Sequence, residues 1–272
     1  MTNDASEPTA FRWPWRTARL YAAAVVLVVV IVGLVARVAR ASDATVAVAA
    51  NFLLPLRDLE QAFEAVSTHR IDVVSGSTGQ LYAQILNGAP FDVMLAADRA
   101  RPALLAESDF GDAASVFTYA VGRLALWSSQ PGLIDDSTLG RLDRMSFRWL
   151  AIANPGLAPY GLAARQALEA LGVWAAIEPR IVQGQNIGQT FAMVESGAAE
   201  LGFVALSQAK DYAGTSSYVM VPAALHEPIR QDAIVLSHGA DNTAAREFVD
   251  FVRSDAAQAI IERHGYSVPS AE

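Results

Sequence analysis

Short polar side chains at the starts of helices are the residues of this chain best suited to binding chemistry. Asn51 follows the apolar run at residues 44–50, and Ser77 and Thr78 follow the apolar run at residues 71–74. Each is succeeded by apolar residues at helical spacing. A helix N-terminus offers unpaired backbone N–H groups and the positive end of the helix dipole. A short polar side chain placed there therefore predicts an anion site.

Two loops in the second half of the chain have the same design. Pro159 stands in the first turn of one helical pattern and leaves the N–H of Tyr160 without a helical partner. Asn186 and Ile187 precede the next helical pattern in the same way. Each loop by itself is explained as an ordinary strand-to-helix connection. Four such loops around one cleft indicate a binding site.

The charge balance decides what kind of partner is excluded. The formal net charge is −8, and the first 41 residues hold five arginines and two acidic residues. The remainder therefore has 15 basic and 26 acidic side chains, a net charge of −11. Such a surface repels nucleic acid. Any anion ligand must be held by local dipoles, because the long-range field opposes it.

The sequence shows none of the residue patterns that are typical of serine or cysteine nucleophiles or of thiolate and histidine metal sites. The chain has no cysteine, which excludes disulfides, thiolate metal sites and cysteine nucleophiles. Its four histidines show no metal-ligand spacing, and the glycines that flank Ser77 and Thr78 have the wrong spacing for a serine hydrolase. We therefore predict a protein that is not an enzyme, with no cofactor and no catalytic residue, and with no protein side chain bound directly to a metal.

Residues 20–36 form an uncharged apolar stretch of 17 residues with arginines before it. A helix of that length spans roughly 25 Å, slightly less than the ~30 Å hydrocarbon core of a bilayer. Ala39-Arg40-Ala41 resembles the cleavage site of a secretory signal. A cleaved signal peptide and an uncleaved membrane anchor both remain open at this point. Either one predicts export of everything after Ser42, to the periplasm or another extracytoplasmic space.

Strand and helix patterns alternate twice after the N-terminal segment, which predicts an α/β protein with two lobes, each a mostly parallel sheet flanked by helices. Extended runs at residues 117–128 and 228–236 are suited to the two crossings between the lobes, and the last helix is predicted over residues 244–264. The predicted divisions are an N-terminal head at 1–41, lobe 1 at 42–121 plus 232–272, and lobe 2 at 122–231. A ligand is expected in the cleft, at strand C-termini and helix N-termini.

Taken together and in order, these segments resemble the periplasmic molybdate-binding proteins of ABC transporters, the ModA family. The similarity runs from about residue 44 to residue 269. It is carried by short motifs distributed over both lobes, which are Ala49-Ala50-Asn51-Phe52, Ser75-Gly76-Ser77-Thr78-Gly79, residues 84–90, Ala96-Ala97-Asp98, Asn154-Pro155, Ala158-Pro159-Tyr160-Gly161, Asn186-Ile187-Gly188-Gln189 and residues 201–205.

The resemblance implies a type II periplasmic binding fold that holds molybdate or tungstate without counter-charges and works with an ABC permease and its ATPase. By position, it implies donation from Asn51 and Thr78 in lobe 1 and from the backbone N–H groups of Tyr160 and Ile187 in lobe 2. Two neighbouring residues, Ala50 and Ser77, are placed to supply further N–H or hydroxyl contacts. We also expect a monomer, with membrane contact through residues 20–36 if that segment is uncleaved.

The sequence departs from one branch of the family at two positions. Asn51 stands where members of that branch have serine, and Ala205 stands where they have tyrosine. The branch with Ala-Asn-Phe and Pro-Tyr-Gly motifs matches better. Two alternatives stay open, namely a binding protein for another tetrahedral oxyanion such as sulfate and a membrane-tethered oxyanion sensor.

Overall fold

The computed structural model describes residues 43–269. The predicted signal or anchor segment at residues 20–36 lies outside this range. The described residues belong to one compact unit. In the described part of the chain, no helix combines the length and the apolar character needed to cross a bilayer.

The structure alternates strands and helices as the sequence predicts. The strands are β1 Asp43–Ala49, β2 Arg70–Gly76, β3 Val93–Leu95, β4 Phe117–Gly122, β5 Leu124–Ser128, β6 Leu150–Ala153, β7 Ile181–Gly184, β8 Leu201–Ala205, β9 Ser217–Met220 and β10 Ile229–Val235. The α-helices are α1 Leu53–Glu64, α2 Thr78–Leu86, α3 Ala100–Glu107, α4 Pro159–Ala170, α5 Trp174–Ile177, α6 Ile187–Glu195, α7 Leu206–Lys210, α8 Thr243–Val252 and α9 Asp255–Arg263. A 3₁₀ turn at Ala50–Phe52 leads directly from β1 into α1.

Two five-stranded sheets define two lobes. The sheet of lobe 1 has the order β2-β1-β3-β10-β4, and that of lobe 2 has the order β7-β6-β8-β5-β9. In each sheet the first three strands are parallel, the fourth is antiparallel to both neighbours, and four of the five strands therefore share one direction. This is the two-lobed type II α/β fold that the resemblance implies.

The antiparallel strand of each sheet is the one that the chain forms directly after crossing from the other lobe. β5 follows β4 after a single residue, Arg123, and β10 follows β9 after residues 221–228. The extended run predicted at 117–128 is thus two strands in two sheets. The predicted boundary between residues 231 and 232 falls inside β10, and the domain limits stay a prediction.

Packing of the first helix of each lobe fixes where that helix begins. In lobe 1, Leu56, Leu59 and Phe63 follow one another at helical spacing along α1 and are buried against the sheet and α8. In lobe 2, α4 lies close to its sheet, because a Cβ on Gly161 would collide with the carbonyl of Ala153. This packing holds the first turn of each helix in a fixed position next to the strand ends.

The prediction of one long final helix over residues 244–264 is wrong. The structure has two helices, α8 and α9, with Ser254 between them. Ser254 is extended (φ −71°, ψ 154°), and its Oγ accepts a hydrogen bond from the Ala257 N–H at 3.3 Å. The helical periodicity continues through this position, but the serine starts a second helix by capping it. The edge strand β9 and the short helices α5 and α7 were not predicted from the sequence.

Candidate functional site

A small cavity lies between the lobes, at the point where strand ends and helix starts from both of them meet. The lobe 1 wall is formed by Ala49, Ala50, Asn51, Gly76, Ser77, Thr78 and Ala97. The lobe 2 wall is formed by Ala158, Pro159, Tyr160, Asn186 and Ile187. All six residues singled out from the sequence (Ala50, Asn51, Ser77, Thr78, Tyr160 and Ile187) are among them. We call this space the central cavity.

The first group of donors comes from the turn between β1 and α1. Ala50 and Asn51 are the first residues of this turn, and their N–H groups precede the first acceptor that a helix can offer. The Asn51 N–H has no backbone acceptor in the described part of the chain, whereas Ala50 directly follows the ladder pair Ala49–Gly76 of β1 and β2. The start of the lobe 1 helix therefore presents the backbone N–H of Asn51 as a donor toward the central cavity.

The second group comes from the start of α2 and includes two hydroxyls. The Ser77 Oγ caps the helix by accepting from the Gln80 N–H at 3.3 Å, and the Thr78 Oγ1 accepts from the Ala97 N–H at 3.0 Å. Since each oxygen accepts a backbone hydrogen bond, each hydroxyl hydrogen is free to donate elsewhere. Both residues are buried, at 3% and 1% exposure. Fixed, desolvated hydroxyls of this kind are suited to an anion.

Lobe 2 contributes backbone groups. Tyr160 follows Pro159 in the first turn of α4, and Ile187 is the first residue of α6 after its cap Asn186. The N–H groups of Tyr160 and Ile187 have no backbone acceptor in the described range 43–269. The Asn186 side chain accepts from the Gln189 N–H at 2.9 Å, which holds this turn in place.

The central cavity is electrostatically unusual for so acidic a protein. None of its twelve lining residues has a carboxylate, ammonium, guanidinium or imidazole group. The positive potential instead comes from helix N-termini and oriented N–H groups. Such donors do not titrate, so their attraction for an anion does not depend on pH near neutrality.

Size limits the ligand as strongly as charge does. The volume of the central cavity is about 10 Å³, whereas two neighbouring grooves have about 380 and 400 Å³. Cavities for organic ligands of drug size measure roughly 300–1,000 Å³. A space of about 10 Å³ is on the scale of one water-sized species. The central cavity therefore excludes organic ligands of drug size, and the chemistry of its donors suits a small, fully ionised oxyanion.

Direct contacts hold the two walls together. The Gly79 N–H of lobe 1 donates to the Leu157 carbonyl of lobe 2 at 2.9 Å. A Cβ on Gly79 would lie only 3.0 Å from that oxygen, so the close approach favours glycine. In addition, Ala49 and Ala97 of lobe 1 are part of the core cluster of lobe 2. The structure thus has the cleft closed around the central cavity.

The Asn51 side chain is placed differently from what the resemblance implies. Its Nδ2 donates to Gln231 Oε1 at 2.8 Å and to the Tyr266 hydroxyl at 3.1 Å. Both amide hydrogens are engaged, and donation from this side chain to an anion would require one of these bonds to break. The free donor that Asn51 offers is its backbone N–H.

The sequence did not predict which residues contact Asn51 on the side away from the central cavity. Gln231, Tyr266 and Ser207 contact Asn51 from positions 156 to 215 residues away along the chain. Gln231 stands between Arg230 and Asp232 in β10, so its type alone did not mark it, and the structure shows it completely buried. Ala205, where one branch of the resembling family has tyrosine, is buried and precedes α7.

Burial keeps the hydroxyls around this region protonated. It raises the pKa of Tyr119 and of Tyr160 well above 10 and raises the pKa of Tyr266 to about 12. Desolvation is the largest cause for all three, since a buried phenolate would lose its hydration. The three tyrosines are therefore neutral hydrogen-bonding groups throughout the physiological pH range.

Comparison with known proteins places this geometry in a family. Residues 44–267 match the model of the family described as bacterial extracellular solute-binding protein. The chain is 46% identical over 230 residues to the molybdate-binding protein ModA of Azotobacter vinelandii, which covers 84% of this chain and 90% of the relative. It is 41% identical over 224 residues to ModA of Rhodobacter capsulatus, which covers 82% and 88%, respectively.

A solved structure agrees with these sequence matches. The periplasmic molybdate-binding protein of Azotobacter vinelandii superimposes with a TM-score of 0.79 and 39% sequence identity. The match covers 84% of this chain and all of that chain. Both lobes are therefore shared with a protein of this family.

Proposed function

We propose, from the premise that this chain belongs to the bacterial extracellular solute-binding proteins of the ModA type, that it captures molybdate in the central cavity. The observation that carries the proposal is the composition of the cavity wall. Backbone N–H groups of Asn51, Thr78, Tyr160 and Ile187 and the hydroxyls of Ser77 and Thr78 are the donors that this wall offers, and Ala50 lines it beside them.

A donor-only wall matches an anion that carries no proton. Molybdate, tungstate and sulfate are tetrahedral dianions with acceptor oxygens alone, and hydrogen bonds to a charged acceptor are roughly twice as strong as neutral ones. Phosphate keeps a proton near neutral pH and needs an acceptor such as a carboxylate. The lining residues provide no carboxylate. This difference favours the first group over phosphate.

The remaining parts of the proposal follow from the family. We expect the loaded protein to act in an extracytoplasmic space as a monomer and to deliver the ion to an ABC permease with its ATPase. Tungstate has the same charge and shape, and we expect it to bind as well. Neither a resident cofactor nor a catalytic step is needed for this role, and the N-terminal segment at residues 20–36 serves export, with or without cleavage.

The test is a thermal-shift series on the exported protein with molybdate, tungstate, sulfate and phosphate. A ligand present at 100 times its Kd adds about 2.7 kcal/mol to the free energy of unfolding. We expect molybdate and tungstate to raise the melting temperature at micromolar concentration and phosphate to leave it unchanged. A shift with sulfate and none with molybdate or tungstate would replace the proposed ligand by sulfate.

A further inference from the structure

Tyr266 lies behind the central cavity, at the junction of the two lobes. It follows α9 in lobe 1, is 5% exposed, and packs edge-on against Phe52 with ring centroids 5.2 Å apart. The segment that leads to it also contacts lobe 2, since Lys210 Nζ donates to the Arg263 carbonyl at 2.7 Å and His264 Nδ1 lies 2.5 Å from Asp211.

The Tyr266 hydroxyl bonds to both lobes at once. In lobe 1 it donates to the Asn51 carbonyl at 2.7 Å and accepts from Asn51 Nδ2 at 3.1 Å. In lobe 2 it lies 3.1 Å from Ser207 Oγ, and the Tyr160 hydroxyl is nearby. Ser207 Oγ also lies 3.3 Å from the Asn51 carbonyl. Because the Tyr266 hydroxyl gives its own hydrogen to that carbonyl, the single hydrogen of Ser207 is the one available for the bond between Ser207 and Tyr266. These bonds are buried, so water cannot replace them while the lobes are closed.

Asn51, which Tyr266 bonds, and its neighbour Tyr160 are also part of the cavity wall. Asn51 and Tyr160 each offer a backbone N–H to the central cavity, one from each lobe. Their other polar groups, the amide and carbonyl of Asn51 and the hydroxyl of Tyr160, contact Tyr266 on the opposite side. Closure around an anion and formation of the Tyr266 bonds therefore require the same relative position of the two lobes.

We propose that Tyr266 is an inter-lobe latch, a positioning residue whose hydroxyl holds the cleft closed and slows release of the bound anion. The identity of the ion rests on the proposed function, whereas the latch itself depends only on contacts between the two lobes. The latch contacts form when the lobes meet. Their loss should therefore accelerate dissociation and leave the association rate nearly unchanged.

Tyr119 provides a matched control within the same region. It is buried like Tyr266 and also packs edge-on against Phe52, with ring centroids 4.7 Å apart. Its hydroxyl, however, lies 2.9 Å from the Ala96 carbonyl and 3.2 Å from Gln231 Oε1, both of which belong to lobe 1. Removing either hydroxyl deletes a buried hydrogen bond, and only Tyr266→Phe deletes one that joins the lobes.

The experiment compares Tyr266→Phe, Tyr119→Phe and the unaltered exported protein. Each is loaded with molybdate and passed through rapid desalting columns at set times, and the molybdenum retained is measured by mass spectrometry. We expect release from Tyr266→Phe to be roughly 5- to 10-fold faster and release from Tyr119→Phe to stay within about twofold of the unaltered protein. Thermal melts check that both variants are folded. Equal release rates for the two variants would overturn the latch.

Two further measurements separate the latch from the identity of the ligand. Ser207→Ala removes the partner in lobe 2, and we expect the double variant with Tyr266→Phe to accelerate release by less than the product of the two single effects, because the two hydroxyls share one bond. Small-angle X-ray scattering without any ligand should give a larger radius of gyration for Tyr266→Phe than for Tyr119→Phe. If the unaltered protein retains no molybdate but this difference in radius appears, the proposed ligand is wrong and the latch stands. Equal release rates from variants that do retain molybdate reject the latch and leave the proposed ligand in place.

Discussion

Lobe 1 and lobe 2 present the same kind of group to the central cavity by different means. Lobe 1 combines backbone N–H groups with the hydroxyls of Ser77 and Thr78, whereas the donors of lobe 2 at Tyr160 and Ile187 are backbone N–H groups. The polar side chains of lobe 2 near the cavity form hydrogen bonds within the protein. Asn186 caps α6, and the Tyr160 hydroxyl contacts Gln231 Nε2 at 3.4 Å.

The difference indicates which substitutions each lobe should tolerate. A backbone donor depends on where the helix begins and not on which side chain the residue carries, so lobe 2 should keep its donors through most substitutions. A hydroxyl is lost with a single substitution, so the donor set of lobe 1 depends directly on side-chain identity. Proline is the exception that distinguishes the two cases, because it alone removes a backbone N–H.

The largest effect is expected from Ile187→Pro in lobe 2. Ile187 is the first residue of α6, where proline is tolerated, and Asn186 before it is already extended (φ −149°, ψ 174°). The substitution removes one N–H and places a ring carbon where its hydrogen was. We expect a loss of about 3 kcal/mol in molybdate binding, measured by isothermal titration calorimetry. Ile187→Val keeps the N–H and should bind normally, and full affinity of a folded Ile187→Pro would remove this donor from the site.

A somewhat smaller effect is expected from Thr78→Val in lobe 1. Valine keeps the shape of the side chain but deletes the hydroxyl, and we expect a loss of about 2 kcal/mol in molybdate binding. Thr78→Ser is the matched control, since it retains an oxygen able to accept from the Ala97 N–H and to donate to the anion. If Thr78→Val and Thr78→Ser have the same affinity in calorimetry, the Thr78 hydroxyl does not contribute to binding. Lobe 1 would then not differ from lobe 2 through this side chain.

The smallest expected effect is the dependence of stability on pH, because neither wall contains a group that titrates near neutrality. Burial raises the pKa of Tyr266 to about 12 from an ordinary value of 10. Above pH 10 the unfolded chain loses this proton while the folded chain keeps it, so stability is unchanged below pH 10 and falls as the pH rises through 12. The contribution of Tyr266 is about 1 kcal/mol between pH 10 and pH 11.

Urea denaturation between pH 7 and pH 11 measures this dependence, with Tyr266→Phe as the control. The variant should lose part of the decrease above pH 10 and match the unaltered protein in its pH profile below that value. An identical alkaline decrease in both proteins would show that Tyr266 is not the group concerned.

The sequence predicted the strands and helices that build the site better than the contacts between distant segments. The starts of α1, α2, α4 and α6 are marked by local features, namely a cap, a glycine-flanked loop or a proline within one or two residues. The error at residues 244–264 has a local cause as well. Apolar periodicity outweighed Ser254, although a serine at that point starts a new helix by capping it.

The direction of the Asn51 amide, toward buried side chains and not toward the central cavity, could not be predicted from neighbouring residues. Its partners Gln231 and Tyr266 are 180 and 215 residues away along the chain. Only the return of the chain as β10 and the packing of the segment after α9 bring these side chains beside Asn51. An amide at a helix start has the same local pattern whether it faces a ligand or a buried network.

By itself, the sequence determined the chemical type of the site. Donors without charged groups, located at helix starts in an acidic chain, are a property of residue types and local spacing. Tertiary structure decided which of those donors face one cavity, how small that cavity is, and that Tyr266 joins the lobes behind it. The physical reason is one of range. Caps and dipoles act within a turn of helix, whereas the position of two lobes depends on contacts between residues that are far apart in the chain.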